Sequence, residues 1–531
     1  MGSAFSKARL VLQALSQLSK TYDILNGRLQ ASPGLPVPDP TLPLWTVPPK
    51  PVPTEPAWLP TYADVVIIGS GITGTSVAYN VLARERFVRI VMLEAREVCS
   101  GATGRNGGHV NPPLYHDYSE LEETYGAHAA KIMIAFRRAH LAEVQRIAAA
   151  EGIQEQSQCR ETVHLDVFTC PKAFAEAKEN LAKWRAVMPV ESASFVCHER
   201  EEAIEKFHLA DEVLGCISNA GGAMHPYRFV TSLLSILNSR HFGTFQVCTH
   251  TPDCLPVGQM LSGDLYAVTT PRGTLHARHV VHATNGWVSH LLPALRTKIS
   301  PARGAMSAQR PGRALSASTL DGARSFVFYR GTAGYDYLTQ LPAGERELMF
   351  GGGWAQACDD GLPEIGIADD RSVNHASQSY LAGALPQYFG ARNWGGEAEV
   401  LDRGEGGVQW GGGRTKAQWS GILGISADLL PWVGRVPETL AQRTATTLVM
   451  GPTDDKEKGE RVLPHLAESG EWIAAGYSGE GMVHAWMSGK ALAHMILDKD
   501  DEIREWFPDI LRVTEKRWKE ANVEHLIERF M

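Results

Sequence analysis

Apolar residues run unbroken over 65–68, and a run of that kind predicts a strand buried on both faces of a parallel sheet. Residues 75–82 follow with helical spacing, and 89–93 predict a second strand that ends at Glu94. Between the first strand and the helix stand Gly69, Ser70, Gly71, Ile72, Thr73 and Gly74, in G-x-G-x-x-G spacing. Gly69 permits the tight turn. Gly71 lets backbone approach a pyrophosphate, whose charge is favoured at the helix N-terminus, and Gly74 lets the helix pack closely on the strand. Glu94 lies 20 residues beyond Gly74, where a carboxylate accepts hydrogen bonds from a ribose 2′-OH and repels a 2′-phosphate.

The rest of the chain is less regular. Residues 5–25 have helical periodicity, with Val11, Leu15, Leu18, Tyr22 and Leu25 near one face, which predicts a helix packed on the body. The proline-dense stretch 31–58 must be extended; it reads as a covering arm that buries Trp45 and Trp58, or as a ligand for another protein. Residues 118–151 predict one long helix interrupted near Gly126, with Ala135, Ala139, Leu141, Val144 and Ile147 as its apolar stripe. A strand over 163–169, a helix over 174–187, and a strand leading through Pro226 into a helix over 227–238 come next. Short strands are predicted at 245–250, 265–270 and 278–283. From Pro301 the pattern turns antiparallel, with strands at 305–309, 326–329, 335–340 and 348–350, then a helix over 372–388. Residues 400–424 are rich in glycine and tryptophan, and 446–466, with the charged patch 454–458, read as a solvated loop. The last strong signal is a strand at 472–475, a tight turn through Gly479, Glu480, Gly481 and Met482, and a helix over 483–496. A terminal helix is expected after Ile503.

At 531 residues the chain exceeds one minimal core, so two domains are expected. A net charge of −8 with no long basic block argues against a nucleic-acid partner. The eight cysteines form no C-x-x-C pair, so neither a metal site nor a disulfide scaffold is expected. Residues 1–20 hold no continuous apolar stretch and no run reaches 18 apolar residues. No signal peptide and no membrane span are therefore expected, and cytoplasmic location is the default.

Residues 99–109 (CSGATGRNGGH) are too rich in glycine and small polar residues for a plain helix start, and their N–H groups suit a second stretch of an extended cofactor. The glycine turn, Glu94, this segment and the Gly479–Met482 turn together resemble the D-amino-acid oxidase-like family of FAD-dependent oxidoreductases. The form Gly104-Arg105-Asn106-Gly107-Gly108 looks most like its gamma-glutamylputrescine oxidase branch and fungal relatives. The resemblance covers roughly 62–500 and departs from the family pattern at Asn285 and at Glu480, where the family often has histidine.

The resemblance implies an α/β, Rossmann-like FAD-binding domain from discontinuous pieces, 61–155, 211–300 and 420–500. It further implies an α+β substrate domain with a mixed or antiparallel sheet, from 156–210 and 301–419. Residues 1–60 form the N-terminal helix and arm, and 501–531 a C-terminal extension. Implied FAD contacts are Gly69 to Gly74, Glu94, Ala95, Arg96, Ser100, Ala102, Thr103, Gly104, Arg105, Asn106, Gly107, Gly108, Val247, Thr284, Asn285, Gly286 and Gly479 to Met482.

The implied activity is oxidation of a C–N bond in an amine or amino acid by hydride transfer to flavin N5, giving an imine. Oxygen or another electron acceptor takes the electrons. No cysteine follows Cys358, so FAD is expected to be non-covalent, with Cys99 and His109 the local residues able to change that. Arg105, His109 and Tyr337 are the catalytic candidates; Tyr329, Tyr335, Trp354 and Trp432 are the substrate-binding candidates. Each has a plain structural alternative: phosphate or surface pairing for Arg105, a satisfied hydrogen bond for His109, packing for the aromatic residues. Lys416 is the lysine considered for the oxygen-facing side. Two other readings stay open: oxidation of a bulky secondary-metabolite amine or imine precursor, and a non-catalytic FAD-binding structural or sorting protein. The sequence leaves oligomeric state undetermined.

Overall fold

The computed structural model describes residues 2–54, 59–252, 255–260, 265–315, 320–397, 406–443, 445–446 and 465–524. Trp58, Cys254, the charged patch 454–458 and the end of the C-terminal extension lie outside the described residues.

Two large sheets organise the chain. In the first, Tyr62–Ile68 is the central strand, flanked in parallel by Ile90–Leu93 and by Gly273–His282. Phe245–Cys248 adds in parallel outside Ile90–Leu93, and Gly470–Ala475 outside Gly273–His282. The burial of Tyr62–Ile68 is nearly complete on both faces, as its continuous apolar run requires. Helix Ile72–Arg84 covers one face beside helix Ala485–Ile496. The two touch closely because Gly489 has no side chain: a Cβ there would stand 2.6 Å from that of Ser76.

The second sheet runs in the order Thr415–Ser426, Ile299–Gln309, Leu348–Gly352, Asp336–Gln340, Arg324–Tyr329, Arg160–Phe168, Gly215–Ala223 and His109–Val110. It is mixed: Arg324–Tyr329 pairs in parallel with Arg160–Phe168, and the other pairs are antiparallel. The α/β plus mixed-sheet architecture is the one expected. The second sheet also takes in His109–Val110, Gly215–Ala223 and residues 420–426 of the strand Thr415–Ser426, outside the segments 156–210 and 301–419. Thr415–Ser426, twelve residues long, is not apparent in the sequence because the glycines within and just before it mask a strand periodicity.

Among the described side chains of helix Gly2–Gln30, Leu25 and Leu29 in its last turns pack against Ile365 and Ile425, while Leu10, Leu15 and Leu18 are exposed. The expectation that this face packs on the body is corrected at Leu15 and Leu18, and the Val11 side chain lies outside the described residues. The arm behind it is extended and covers the body, with Trp45 buried over Gly108 and its indole N–H donating to the Asn106 carbonyl.

The long helix divides at Gly126 into Leu114–Tyr125 and Ala127–Ala150, with Gly126 at φ 84°. Its buried face holds Met133, Phe136, Arg137, His140, Val144 and Ile147, whereas Ala135 is exposed. The expected stripe is thus rotated, because Arg137 and His140 are buried polar residues that hydrophobic periodicity passes over.

Candidate active site

One continuous cavity of about 810 Å³ runs from the glycine turn to the inner face of the second sheet. At its first end, the turn between Tyr62–Ile68 and helix Ile72–Arg84 leaves no room for side chains. A Cβ on Gly69 (φ 110°) would stand 2.5 Å from the Ala283 carbonyl oxygen, and one on Gly74 would overlap the Gly69 carbonyl oxygen. A Cβ on Gly71 would lie 3.0 Å from Thr103 Oγ1, which accepts the Ile72 N–H at 3.0 Å. The first-turn N–H groups of the helix have no partners within it, so this end is suited to an anion. Glu94 lies beside it. Its Oε2 accepts from the Ser70 N–H at 3.1 Å and hydroxyl at 2.6 Å, and its Oε1 from the Arg96 N–H at 3.0 Å.

The cavity wall contains Gly69 to Thr73, Glu94, Ala95, Arg96, Ala102, Thr103, Arg105, Asn106, Gly107, Thr284, Asn285 and Gly479 to Met482. Six expected contact residues are outside that wall. Gly74 and Gly104 pack on backbone, Gly108 packs on Met224 and Trp45, and Gly286 packs on Leu423. Ser100 serves Arg96, accepting from its Nε at 3.3 Å. Val247 is the sixth: it sits buried in its strand, and Thr251 and Pro252 line the cavity instead. Asn285 adopts φ 44°, and its Oδ1 accepts the Gly476 N–H at 3.0 Å, so the departure at 285 ties two strand ends together.

Arg105 is buried, and its donors point to the covering arm. Its Nε donates to the Ser420 carbonyl at 2.6 Å, its Nη2 to Thr41 Oγ1 at 2.7 Å and to the Thr41 carbonyl, and Asp370 lies 3.5 Å away. Asp370 also takes the Arg96 guanidinium at 3.0 Å. Burial lowers Arg105 to about 10, Asp370 opposing the shift. The pairing is buried, unlike the phosphate or surface pairing set out as the alternative, and Arg105 still lines the cavity.

The far end of the cavity lies between the long helix pair, the second sheet and the Gly479–Met482 turn. His109, His116, Asp117, Asp166, Tyr329, Tyr335, Tyr337, Trp354 and Glu480 line it. His109 Nε2 lies 3.1 Å from His164 Nδ1, whose ring carries on to Asp166 at 3.0 Å. Burial lowers His109 to about 3, helped by His164, so its imidazole is neutral. Asp166 accepts from the Tyr115 hydroxyl at 2.7 Å; burial works against its ionisation, but His164, His116 and Tyr115 hold its carboxyl below the usual range. Tyr337 donates to Met306 Sδ at 3.0 Å, and Tyr335 sits just before the strand rather than on it.

Trp432 is not in the cavity. It is fully buried, donates to Ser426 Oγ at 2.9 Å and lies under the Arg517 guanidinium at 4.3 Å. It is a core residue, and its expected place beside a substrate is corrected. Lys416 likewise points away, held by Glu347 at 2.6 Å and Glu345 at 3.0 Å.

Sequence reasoning missed His116, Asp117, Asp166 and Arg137. Arg137 lies behind the cavity, its three nitrogens set on Asp117 Oδ2 at 2.5 Å, Glu480 Oε2 at 3.2 Å and His484 Nε2 at 3.0 Å. The one available signal was an arginine on the apolar side of a helix. Burial raises Glu480 to about 7, Arg137 pulling against the rise and Asp117 adding to it.

A family model described as "FAD dependent oxidoreductase" matches residues 64–495, most of the chain. The chain belongs to the FAD dependent oxidoreductase family. Proteins similar to it include a subunit of the anaerobic glycerol-3-phosphate dehydrogenase of Escherichia coli K12, 23% identical over 46% of this chain. That match spans 42% of the relative's own length, less than half. The gamma-glutamylputrescine oxidoreductase of the same organism is 39% identical over 70 residues, 13% of this chain and 16% of that protein. Among solved structures, L-proline dehydrogenase from P. horikoshii aligns at 17% identity with a TM-score of 0.59, covering 87% of this chain and 100% of that one. Glycine oxidase from Geobacillus kaustophilus aligns at 16% identity and TM-score 0.58, over 86% and 99%. These likenesses fix the fold.

The residues present fit the family's cofactor: a glycine cradle that a Cβ would fill, a carboxylate at the end of the second strand, and a cavity continuing to the second sheet. No helix among the described residues is long and apolar enough to cross a membrane, and no metal-holding cluster occurs among them.

Proposed function

We propose that this protein oxidises a C–N bond of an amine or amino acid to an imine with FAD as electron acceptor. The observation that carries the reading is the continuity of the cavity: one space joins the glycine turn to a chamber of tyrosines and carboxylates on a second sheet. The two fold relatives named above, a glycine oxidase and an L-proline dehydrogenase, support it. Placement in the gamma-glutamylputrescine oxidase branch rests on the form Gly104-Arg105-Asn106-Gly107-Gly108.

Gly69 to Thr73 and the N-terminus of helix Ile72–Arg84 hold the pyrophosphate, Glu94 a ribose, and the 102–107 and 479–482 segments the remainder. FAD bound there supplies a two-electron acceptor. The protein's part is to orient the substrate and exclude water. Tyr329, Tyr335 and Trp354 enclose the substrate, while the neutral His109 and Tyr337 fix hydrogen bonding at the boundary between the two ends. No described cysteine lines the cavity, and burial raises the Cys99 thiol well above its ordinary value, in keeping with a non-covalent cofactor. Lys416, bonded to Glu345 and Glu347, is not part of the cavity wall.

The test is anaerobic addition of amines and amino acids to the flavin-loaded protein. Bleaching of the flavin bands, with an imine-derived carbonyl product, is the expected result; no bleaching across the panel would overturn the reading. Flavin released into the supernatant on acid precipitation checks the non-covalent attachment.

A further inference from the structure

We propose that the substrate is an amine without a carboxylate, held as a cation between Tyr329, Tyr335 and the free oxygens of Asp117 and Glu480. This rests on the C–N oxidation reading and narrows its substrate class; the bound ammonium gives its proton to a free carboxylate oxygen of the site before its C–N bond is oxidised.

A carboxylate is bound in proteins chiefly by an arginine that can offer it a pair of N–H groups. The described arginines in the cavity wall, Arg96 and Arg105, and Arg137 behind it are engaged. Arg96 and Arg105 share Asp370 at the glycine-turn end. Arg137 has its three nitrogens on Asp117, Glu480 and His484, and its side chain is 3% exposed. The carboxylates in front of it are open: the Asp117 side chain is 34% exposed and that of Glu480 23%. Each gives one oxygen to Arg137, and Asp117 Oδ1 and Glu480 Oε1 have no partner among the described residues. Asp166 adds a third anionic group to the same wall.

Above about pH 7, where Glu480 is ionised, two carboxylates against one buried guanidinium leave a net negative charge, with acceptor lone pairs as the polar surface offered. That arrangement repels a carboxylate and attracts an ammonium. The aromatic component is independent of the charges. The Tyr329 and Tyr335 rings lie 5.9 Å apart at 56°, and His116 stands 5.1 Å from Tyr329. Neither tyrosine hydroxyl has a partner among the described residues, and both residues line the cavity. Ring faces beside open carboxylates form a binding site for an organic cation.

The test uses the FAD-loaded protein and two ligands that cannot be oxidised at a C–N bond, benzyltrimethylammonium and benzoate, followed by perturbation of the flavin spectrum. Saturable binding of the ammonium probe and none of benzoate is the expected result. Glu480→Gln, which keeps an acceptor for Arg137, is expected to weaken the ammonium probe by roughly tenfold, the scale of a lost charge partner. Tighter binding of benzoate, or no binding of either probe, would overturn the proposal on wild-type protein alone, whatever the variant does. Flavin content of the variant is checked first, and an E480Q protein that binds FAD and the ammonium probe undiminished would also overturn it. The two readings fail separately. Ammonium binding without bleaching by any amine defeats C–N oxidation and leaves the cation site standing. Bleaching by carboxylate-bearing amino acids but not by simple amines defeats the cation site and leaves C–N oxidation standing.

Discussion

The Tyr477 hydroxyl lies 2.8 Å from that of Thr73, joining the glycine turn to the C-terminal turn across 404 residues of sequence. Both residues line the cavity, so the cradle is closed by two pieces of chain that meet only in the folded state. Tyr477→Phe removes the bond and leaves the Thr73 hydroxyl short of a partner. The expected cost is about 1 kcal/mol of stability, read as a lower thermal midpoint, with weaker retention of FAD.

Glu94 carries three hydrogen bonds from Ser70 and Arg96 in addition to the role proposed for it toward a ribose. Glu94→Ala is expected to weaken FAD binding by about tenfold or more, since a charged acceptor is lost. Titration of the stripped protein with FAD checks this, and unchanged affinity would remove the ribose from Glu94.

Arg105 fastens the covering arm at Thr41. Arg105→Ala frees that attachment and leaves Asp370 with Arg96 as its guanidinium partner. The expected outcome is faster proteolysis within 31–54 and several-fold faster loss of flavin, as local opening becomes easier. A variant with slower turnover but an equally protected arm would assign Arg105 to catalysis.

Glu480 makes stability depend on pH. Its native value of about 7 exceeds the ordinary carboxyl value of about 4.3, so the native state binds the proton more tightly. The stabilising contribution is present in full below about pH 4 and is lost as pH rises through about 7. Arg137, Asp117 and the neutral His484 face it. Thermal midpoints of wild type and Glu480→Gln across this window are expected to differ in slope, the wild type falling more steeply; parallel curves would exclude a raised Glu480.

Trp432 separates core from site. Trp432→Phe loses the indole N–H donor to Ser426 and part of the stacking on Arg517. The expected cost is about 1–3 kcal/mol in stability with KM unchanged. A change in KM at unchanged stability would return Trp432 to the substrate pocket.

The sequence alone determined the strand, the glycine turn, the helix and Glu94, because each rests on local backbone geometry. A G-x-G-x-x-G turn has the same steric meaning in any chain, and Gly69 and Gly74 are where a Cβ would collide. The division of the long helix at Gly126 was legible for the same reason. Tertiary structure alone decided which polar groups meet. Arg137 and His484 are 347 residues apart, and nothing local marks either as a partner of Glu480. Trp432 and Tyr335 look alike as aromatic residues near strands; only packing put one under Arg517 and the other in the cavity. The strand Thr415–Ser426 exists because Ile299–Gln309 pairs with it residue by residue, a register its own glycines do not announce. Backbone constraints act over a few residues, whereas the charge of a site is a sum over side chains that only folding brings within a few ångströms.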